Sequence, residues 1–352
     1  MPVRAGAHTA RRLDDYRASC KPWRQPNSID RLIGTARTMT FKRSCRIPGP
    51  HALPAIVAPM FLVSGPELVS ACCKAGVIGS FPSINARTPE LLEDWLLDIE
   101  AALAGGRAAM PEKPVAPYAV NLIMHSSNSR RDTDLAILAR HRVPLVIASV
   151  GNPEPAVGAI HGYGGKVFCD VATVKHARRA IEAGVDGLIL LCAGAGGHSG
   201  WINPFAFLRE VRDFFDGPLV LAGGITDGRA IRAAQLLGAD GVYIGTRFLA
   251  AQESLASADY KATLATSSAD DIVLTTAVSG LPGNFLRSSL ERYGLHPEHG
   301  GIQAFRIPDG ESEGKRWRDI WSAGHGVGAV RTVEPAAAIV QALVEEFDRS
   351  AA

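Results

Sequence analysis

One histidine and four glycines stand together in LILLCAGAGGHSG, residues 188–200, and no other stretch combines residue types so suited to chemistry. An imidazole moves protons near neutral pH. Glycine lets a ligand approach the backbone because no Cβ stands in the way. The apolar run that precedes them reads as a buried parallel strand, since strands covered on both faces show no alternation. His198 therefore sits where a strand gives way to a loop. In a barrel of parallel strands that carboxyl end carries the chemistry. Histidines in glycine-rich loops also serve only to satisfy local hydrogen bonds, so the catalytic reading of His198 depends on what else reaches the same place.

Two further glycine motifs, LAGGITDGR (221–229) and YIGTRF (243–248), follow apolar runs. Backbone N–H groups in such loops, helped by the positive end of a helix, hold anions. The natural donors are Gly223, Gly224, Gly245 and Thr246. Placed after the seventh and eighth strands of a barrel, they form the recurrent barrel phosphate site. Tight turns without a ligand are the plainer alternative. A phosphate there suits flavin mononucleotide (FMN), a nucleotide or a sugar phosphate.

The elements needed to position these residues are legible from residue 54 onward. Strands are expected over 55–58, 77–80, 118–123, 144–148, 166–170, 187–191, 218–222 and 241–244. Helical spacing is expected over 66–75, 89–103, 132–141, 154–162, 174–183, 204–215 and 228–237. Eight strands alternating with helices predict parallel pairing and a closed α/β barrel, the (β/α)8 TIM barrel. EAGVDG and LLGADG are two copies of one device, a glycine after a helix and a short turn into the next strand. Residues 255–330 lack clean alternation and are expected to form a lid or substrate-side segment over the active face. A closing amphipathic helix is expected over 335–347. The division is then an N-terminal arm (1–50), a barrel (51–254 and 331–350) and the lid segment.

Composition narrows the function classes. A hydrophobic fraction of 47% supports a large core, and a net charge of +2 with no basic, aromatic-rich stripe gives no reason to invoke nucleic acid. No apolar run reaches the ~20 residues of a membrane span. The cysteines show no metal-ligand spacing, so no metal is expected, and reduced thiols in a cytoplasmic protein are the expectation. The Arg-rich first 45 residues read as a loosely attached arm, with an organelle transit peptide as the alternative.

Taken in order, APMFLVSGPELV (58–69), YAVNLIM (118–124), CAGAGGHSG (192–200), AGGITDGR (222–229), IGTRFLAAQES (244–254) and WSAGHGVG (321–328) closely resemble the nitronate monooxygenase family, formerly the 2-nitropropane dioxygenases. The resemblance covers residues 53–345. It implies a barrel that binds FMN at the carboxyl ends of its strands. Carried over, Ala58, Pro59 and Met60 line the isoalloxazine. Asn121 bonds the pyrimidine side with both a donor and an acceptor. Gly196 and Gly197 leave room for flavin and substrate, and Gly223, Gly224, Gly245 and Thr246 hold the phosphate. His198 matches the catalytic histidine, which removes the acidic C–H proton of a nitroalkane or stabilises the nitronate. The implied reaction oxidises nitronates with O2 to carbonyl compounds and nitrite.

Asp170, among the cofactor-side residues, ends strand five, where some relatives place a lysine. Pointed inward, its carboxylate opposes negative charge on a reduced flavin; turned away, it leaves Cys169 or Val171 on the ring side. Ser279 and His325 are substrate-side candidates, each with an ordinary loop residue as the alternative. The partners expected are a small-molecule substrate and O2; no interface is legible, so a homo-oligomer and a monomer both stay open. An NAD(P)H-dependent flavin reductase, acting on quinones or enoyl thioesters, is the competing reading on this scaffold. A flavin-free barrel for a phosphorylated metabolite is a further one.

Overall fold

The structure, a computed structural model, describes residues 46–295 and 319–350. The expected N-terminal arm lies outside the described residues up to residue 45, and so does part of the lid segment, 296–318.

The described strands, in chain order, are β1 (Ala55–Val57), β2 (Gly79–Pro82), β3 (Tyr118–Ile123), β4 (Leu145–Ser149), β5 (Lys166–Val171), β6 (Gly187–Leu191), β7 (Gly197–His198), β8 (Leu219–Ala222), β9 (Gly241–Ile244), β10 (Ile272–Thr275) and β11 (Gly283–Leu286). Eight of them form one parallel sheet in the order β1-β9-β8-β6-β5-β4-β3-β2. A parallel bridge between Ile56 and Ile78 joins its first and last members, so the sheet closes into the expected TIM barrel. The helices between strands are α1 (Pro66–Lys74), α2 (Pro89–Ala109), α3 (Arg131–Arg140), α4 (Glu154–His161), α5 (Val174–Glu182), α6 (Pro204–Arg212) and α7 (Gly228–Leu237). They are followed by α8 (Thr246–Leu249), α9 (Ala258–Thr266), α10 (Arg287–Arg292) and α11 (Ala336–Arg349).

Local chemistry sets where these helices begin. Thr88, Thr173, Asn203 and Asp227 each accept a hydrogen bond from a backbone N–H of the first turn, the preferred N-cap arrangement. Pro66, Pro89 and Pro204 occupy first helical positions, where the missing N–H costs nothing. Gly184 and Gly238 adopt φ of 87° and 108° after α5 and α7, as the paired turn motifs require. The aspartates of those motifs tie neighbouring strands: Asp186 accepts the Val167 N–H and Asp240 the Leu219 N–H.

Side chains alternate along each barrel strand between two cores. On β5, Val167, Cys169 and Val171 pack outward in the layer beneath the helices. Phe168 packs inward with Ile56, Ile147, Ile189 and Val220. Each such fully buried side chain is worth roughly 1.5–3 kcal/mol of transfer free energy. Among the described residues no helix is long and apolar enough to cross a membrane.

Two features depart from the sequence expectations. The second strand starts at Gly79 rather than Val77, because Ile78 bridges to β1 before pairing with β3 begins. The lid segment also contains regular structure: β10 and β11 form an antiparallel ribbon that β7 joins, with Gly283 opposite His198 and Asn284 opposite Gly197.

Candidate active site

The loop after β6 is fixed by its own backbone and by the lid. Gly194 and Gly197 have φ of 90° and 67°, a region costly for residues with a Cβ. Ser199 donates from its hydroxyl to the Cys192 carbonyl, and its N–H bonds the Pro282 carbonyl. The Asn284 amide donates to the Ala195 carbonyl at 2.7 Å. A Cβ on Gly200 would stand 2.2 Å from the Leu191 carbonyl oxygen, so only glycine turns the chain there.

This scaffold presents His198, half-buried, on the two-residue strand β7. Its Nε2 lies 2.9 Å from the Ser279 hydroxyl. Ser279 itself bonds the Leu281 backbone on both sides, accepting from the N–H and donating to the carbonyl. Burial pulls the His198 imidazole from its ordinary 6.5 down to about 4, so the ring is neutral at pH 7.

His198 opens onto a cavity of 1690 Å³ at the carboxyl ends of the barrel strands. Ala58, Pro59, Met60, Asn121 and Asp170 line it, together with Gly196, Gly197, Gly223, Gly224, Gly245 and Thr246. Two substrate-side candidates fall elsewhere. Ser279 reaches the site only through His198. His325 is exposed, its backbone N–H bonds the Gly194 carbonyl and its ring takes the space a Cβ on Gly194 would fill, outside the residues that line the cavity.

The glycines have different reasons to be glycine. A Cβ on Gly224, φ 71°, would meet nothing within 4 Å, so its backbone faces open cavity. On Gly223 a Cβ would come within 2.9 Å of the Ala193 carbonyl oxygen. Gly196 corrects an expectation: the space of its missing side chain is filled by the backbone of Ala323 and Gly324, at 2.8–2.9 Å. That C-terminal loop is also held by the Thr246 hydroxyl, which accepts the Gly324 N–H at 2.9 Å.

The far wall carries polar groups in a line. The Asn121 amide donates both its protons to protein: to the Ile147 carbonyl at 3.0 Å and to the Ser149 hydroxyl at 2.5 Å. Turning the amide would set its oxygen against the Ile147 carbonyl, so the expected donor-and-acceptor role is replaced by an acceptor alone. Ser149 in turn donates to Asp170 Oδ2 at 2.5 Å. Asp170 points inward, because Cys169 and Val171 take the outward positions. Burial raises its carboxyl from 3.8 to about 7, partly offset by the Ser149 hydroxyl. Its Oδ1 and the Tyr243 hydroxyl are buried without hydrogen-bond partners among the described residues.

The raised Asp170 pKa makes a stability prediction. Between pH 4 and pH 7 the unfolded chain ionises Asp170 while the folded protein holds it protonated, so this residue's handicap to folding grows with pH and levels off above 7. Asp170→Asn is expected to raise the Tm of the flavin-free protein at pH 8 clearly more than at pH 4. Thermal melts at both values check this.

Comparison with known proteins gives a consistent picture. Residues 50–346 match the nitronate monooxygenase family. A nitronate monooxygenase of Neurospora crassa is 29% identical over 336 residues, 83% of this chain and 88% of that protein. An octahydro-1H-indene-4-carboxyl-CoA dehydrogenase of Mycobacterium tuberculosis is 30% identical over 240 residues, 67% of this chain. The match spans 64% of that dehydrogenase's length. Among solved structures, a nitroalkane oxidase from Streptomyces ansochromogenes superposes with a TM-score of 0.73 at 25% identity, covering 86% of this chain and 97% of that one. FabK from Thermotoga maritima gives 0.70 at 27% identity, covering 86% and 94%. The closed barrel, the glycine loops beside His198 and a family match over residues 50–346 lead to one conclusion: the chain belongs to the nitronate monooxygenase family, flavin-dependent oxidoreductases built on a TIM barrel.

Proposed function

We propose that the chain is an FMN-dependent enzyme that oxidises alkyl nitronates, and nitroalkanes after their deprotonation, with O2 to carbonyl compounds and nitrite. The observation that carries this reading is a neutral, Ser279-bonded His198 opening onto the glycine-lined cavity.

The residues present fit FMN. The open backbone at Gly224, with Gly223, Gly245 and Thr246 beside it, suits a phosphate at the loops after β8 and β9. Ala58, Pro59 and Met60 offer a mostly apolar wall for a flat ring. Asn121 offers a carbonyl oxygen to the ring's single imide N–H, and the unpartnered polar atoms of Asp170 and Tyr243 mark the same wall as unfinished without a ligand. The volume leaves space for a substrate beside the cofactor.

When bound, FMN supplies the electron acceptor; the protein's own part is proton handling and positioning. Neutral His198 accepts the proton from the carbon next to the nitro group. The imidazolium so formed is stabilised by the anionic nitronate it faces. Ser279 holds the ring by Nε2. Ser279→Ala removes the hydrogen bond to His198, about 1 kcal/mol, together with the hydroxyl's bonds to the Leu281 backbone. It is expected to slow neutral nitroalkane turnover by roughly fivefold with FMN affinity unchanged, checked by steady-state O2 consumption and flavin titration.

A second reading is favoured by the likeness to FabK and to the carboxyl-CoA dehydrogenases: an NAD(P)H-dependent reductase of the same fold. O2 consumption with a nitronate, set against NADH or NADPH oxidation with a quinone, separates the two.

A further inference from the structure

Asp170 stands out among the buried groups the proposed chemistry does not use. It is a carboxyl in the cavity wall, in line with the residues proposed to meet the flavin ring, yet it forms no ion pair among the described residues. One oxygen accepts a hydroxyl and the other has no partner. The hydrogen-bond chain has one direction. Asn121 can only donate from its nitrogen, Ser149 therefore passes its own proton to Oδ2, and the acid's proton is left to Oδ1.

We propose that Asp170 is a proton-carrying residue of the cofactor site: it takes up a proton from solvent when the bound flavin is reduced and releases it on reoxidation, and so sets the flavin's reduction potential. The proposal rests on the FMN reading above. Reduction adds negative charge to the ring, and a like charge in the same wall disfavours it. Where Asp170 is already protonated, reduction meets no such charge. Where it is ionised, reduction must either tolerate the carboxylate or draw one more proton per two electrons.

The other groups facing this wall do not imitate it. Tyr243 on β9 and Cys169 on β5 hold their protons far above neutrality, the thiol at about 12 and both through burial. His198, on β7, is neutral above about 4. On the neighbouring strands Ser149 and Asn121 do not titrate, and Ile189 and Leu191 of β6 are apolar. His125, His176 and Arg179 line the cavity farther along its wall, after β3 and on α5. FMN's own phosphate titrates near 6. All of these are common to the wild type and to Asp170→Asn, which keeps an acceptor for Ser149 and removes only the charge.

The experiment is the midpoint potential of protein-bound FMN from pH 5 to pH 9, by dye-coupled anaerobic titration, in the wild type, Asp170→Asn and Ser149→Ala. The two potentials are expected to agree at pH 5. At pH 9 the wild type is expected to lie lower by at least tenfold in the reduction equilibrium, about 30 mV for a two-electron couple. Ser149→Ala, which removes the hydroxyl that lowers Asp170, is expected to move the divergence to higher pH. Parallel wild-type and Asp170→Asn potentials at every pH, with FMN bound, overturn the proposal and leave the FMN reading standing. Protein that binds no FMN at any pH overturns both.

Discussion

His198→Asn is expected to lower turnover of neutral nitroalkanes by about 10²- to 10⁴-fold, the usual worth of a positioned general base. Oxidation of preformed nitronates should fall far less, because no C–H proton remains to be removed. FMN content should be unchanged, since the strand that carries His198 is held by Gly283, Asn284 and Ser199 rather than by the imidazole. The pH profile sharpens the test. An imidazole depressed to about 4 stays neutral throughout the neutral range, so the wild type should show no loss of base between pH 8 and pH 6. Steady-state O2 consumption with paired nitroalkane and nitronate substrates measures both effects. Equal losses on the two substrates would assign His198 to substrate binding instead.

The largest stability effect is expected far from His198, at Arg212. Its side chain is 9% exposed and meets Asp240, 1% exposed, at 2.6 Å. Arg212 also donates to the carbonyls of Phe215, Gly217 and Gly238, binding the end of α6 to the turns that enter β8 and β9. Arg212→Ala takes the arginine from a buried carboxylate and a donor from three backbone carbonyls, and is expected to cost about 3–5 kcal/mol. Those two strands carry the glycine loops proposed to hold the phosphate, so FMN retention at 37 °C should fall with stability. Urea denaturation of the flavin-free protein reads the loss as a lower midpoint with an unchanged slope. Arg131→Ala is the contrast: its partner Asp132 is 77% exposed, and no measurable change is expected.

Much of this architecture is legible in the chain because burial leaves a periodic trace. Strands β1, β6 and β8 are uninterrupted apolar runs, and caps such as Thr88, Asn203 and Asp227 announce the helices that follow. What escapes has no such trace. β7 is a two-residue strand, Gly197–His198, too short for any period, and its partner β11 comes from a segment without alternation. Ser279 lies 81 residues from His198, and only folding brings the hydroxyl to the ring. Asn121 was recognisable as a polar residue at a strand end, but the loss of both its donors to Ile147 and Ser149 depends on the neighbouring strand. Gly196 was legible as a glycine, while its reason, the approach of Ala323 and Gly324, is tertiary. The direction of Asp170 follows from strand period once Phe168 is known to face inward, yet the sequence offers no cue as to which face of β5 lines the barrel.

The electron donor to the bound flavin decides which reaction the protein runs. The most direct measurement is anaerobic stopped-flow absorbance of the purified flavin-loaded protein, mixed separately with a nitronate, NADH and NADPH. Rapid change of the flavin spectrum with the nitronate, and none with either nicotinamide, is the predicted result. Rapid bleaching by NADH or NADPH with no response to nitronate would contradict it and make the protein a reductase.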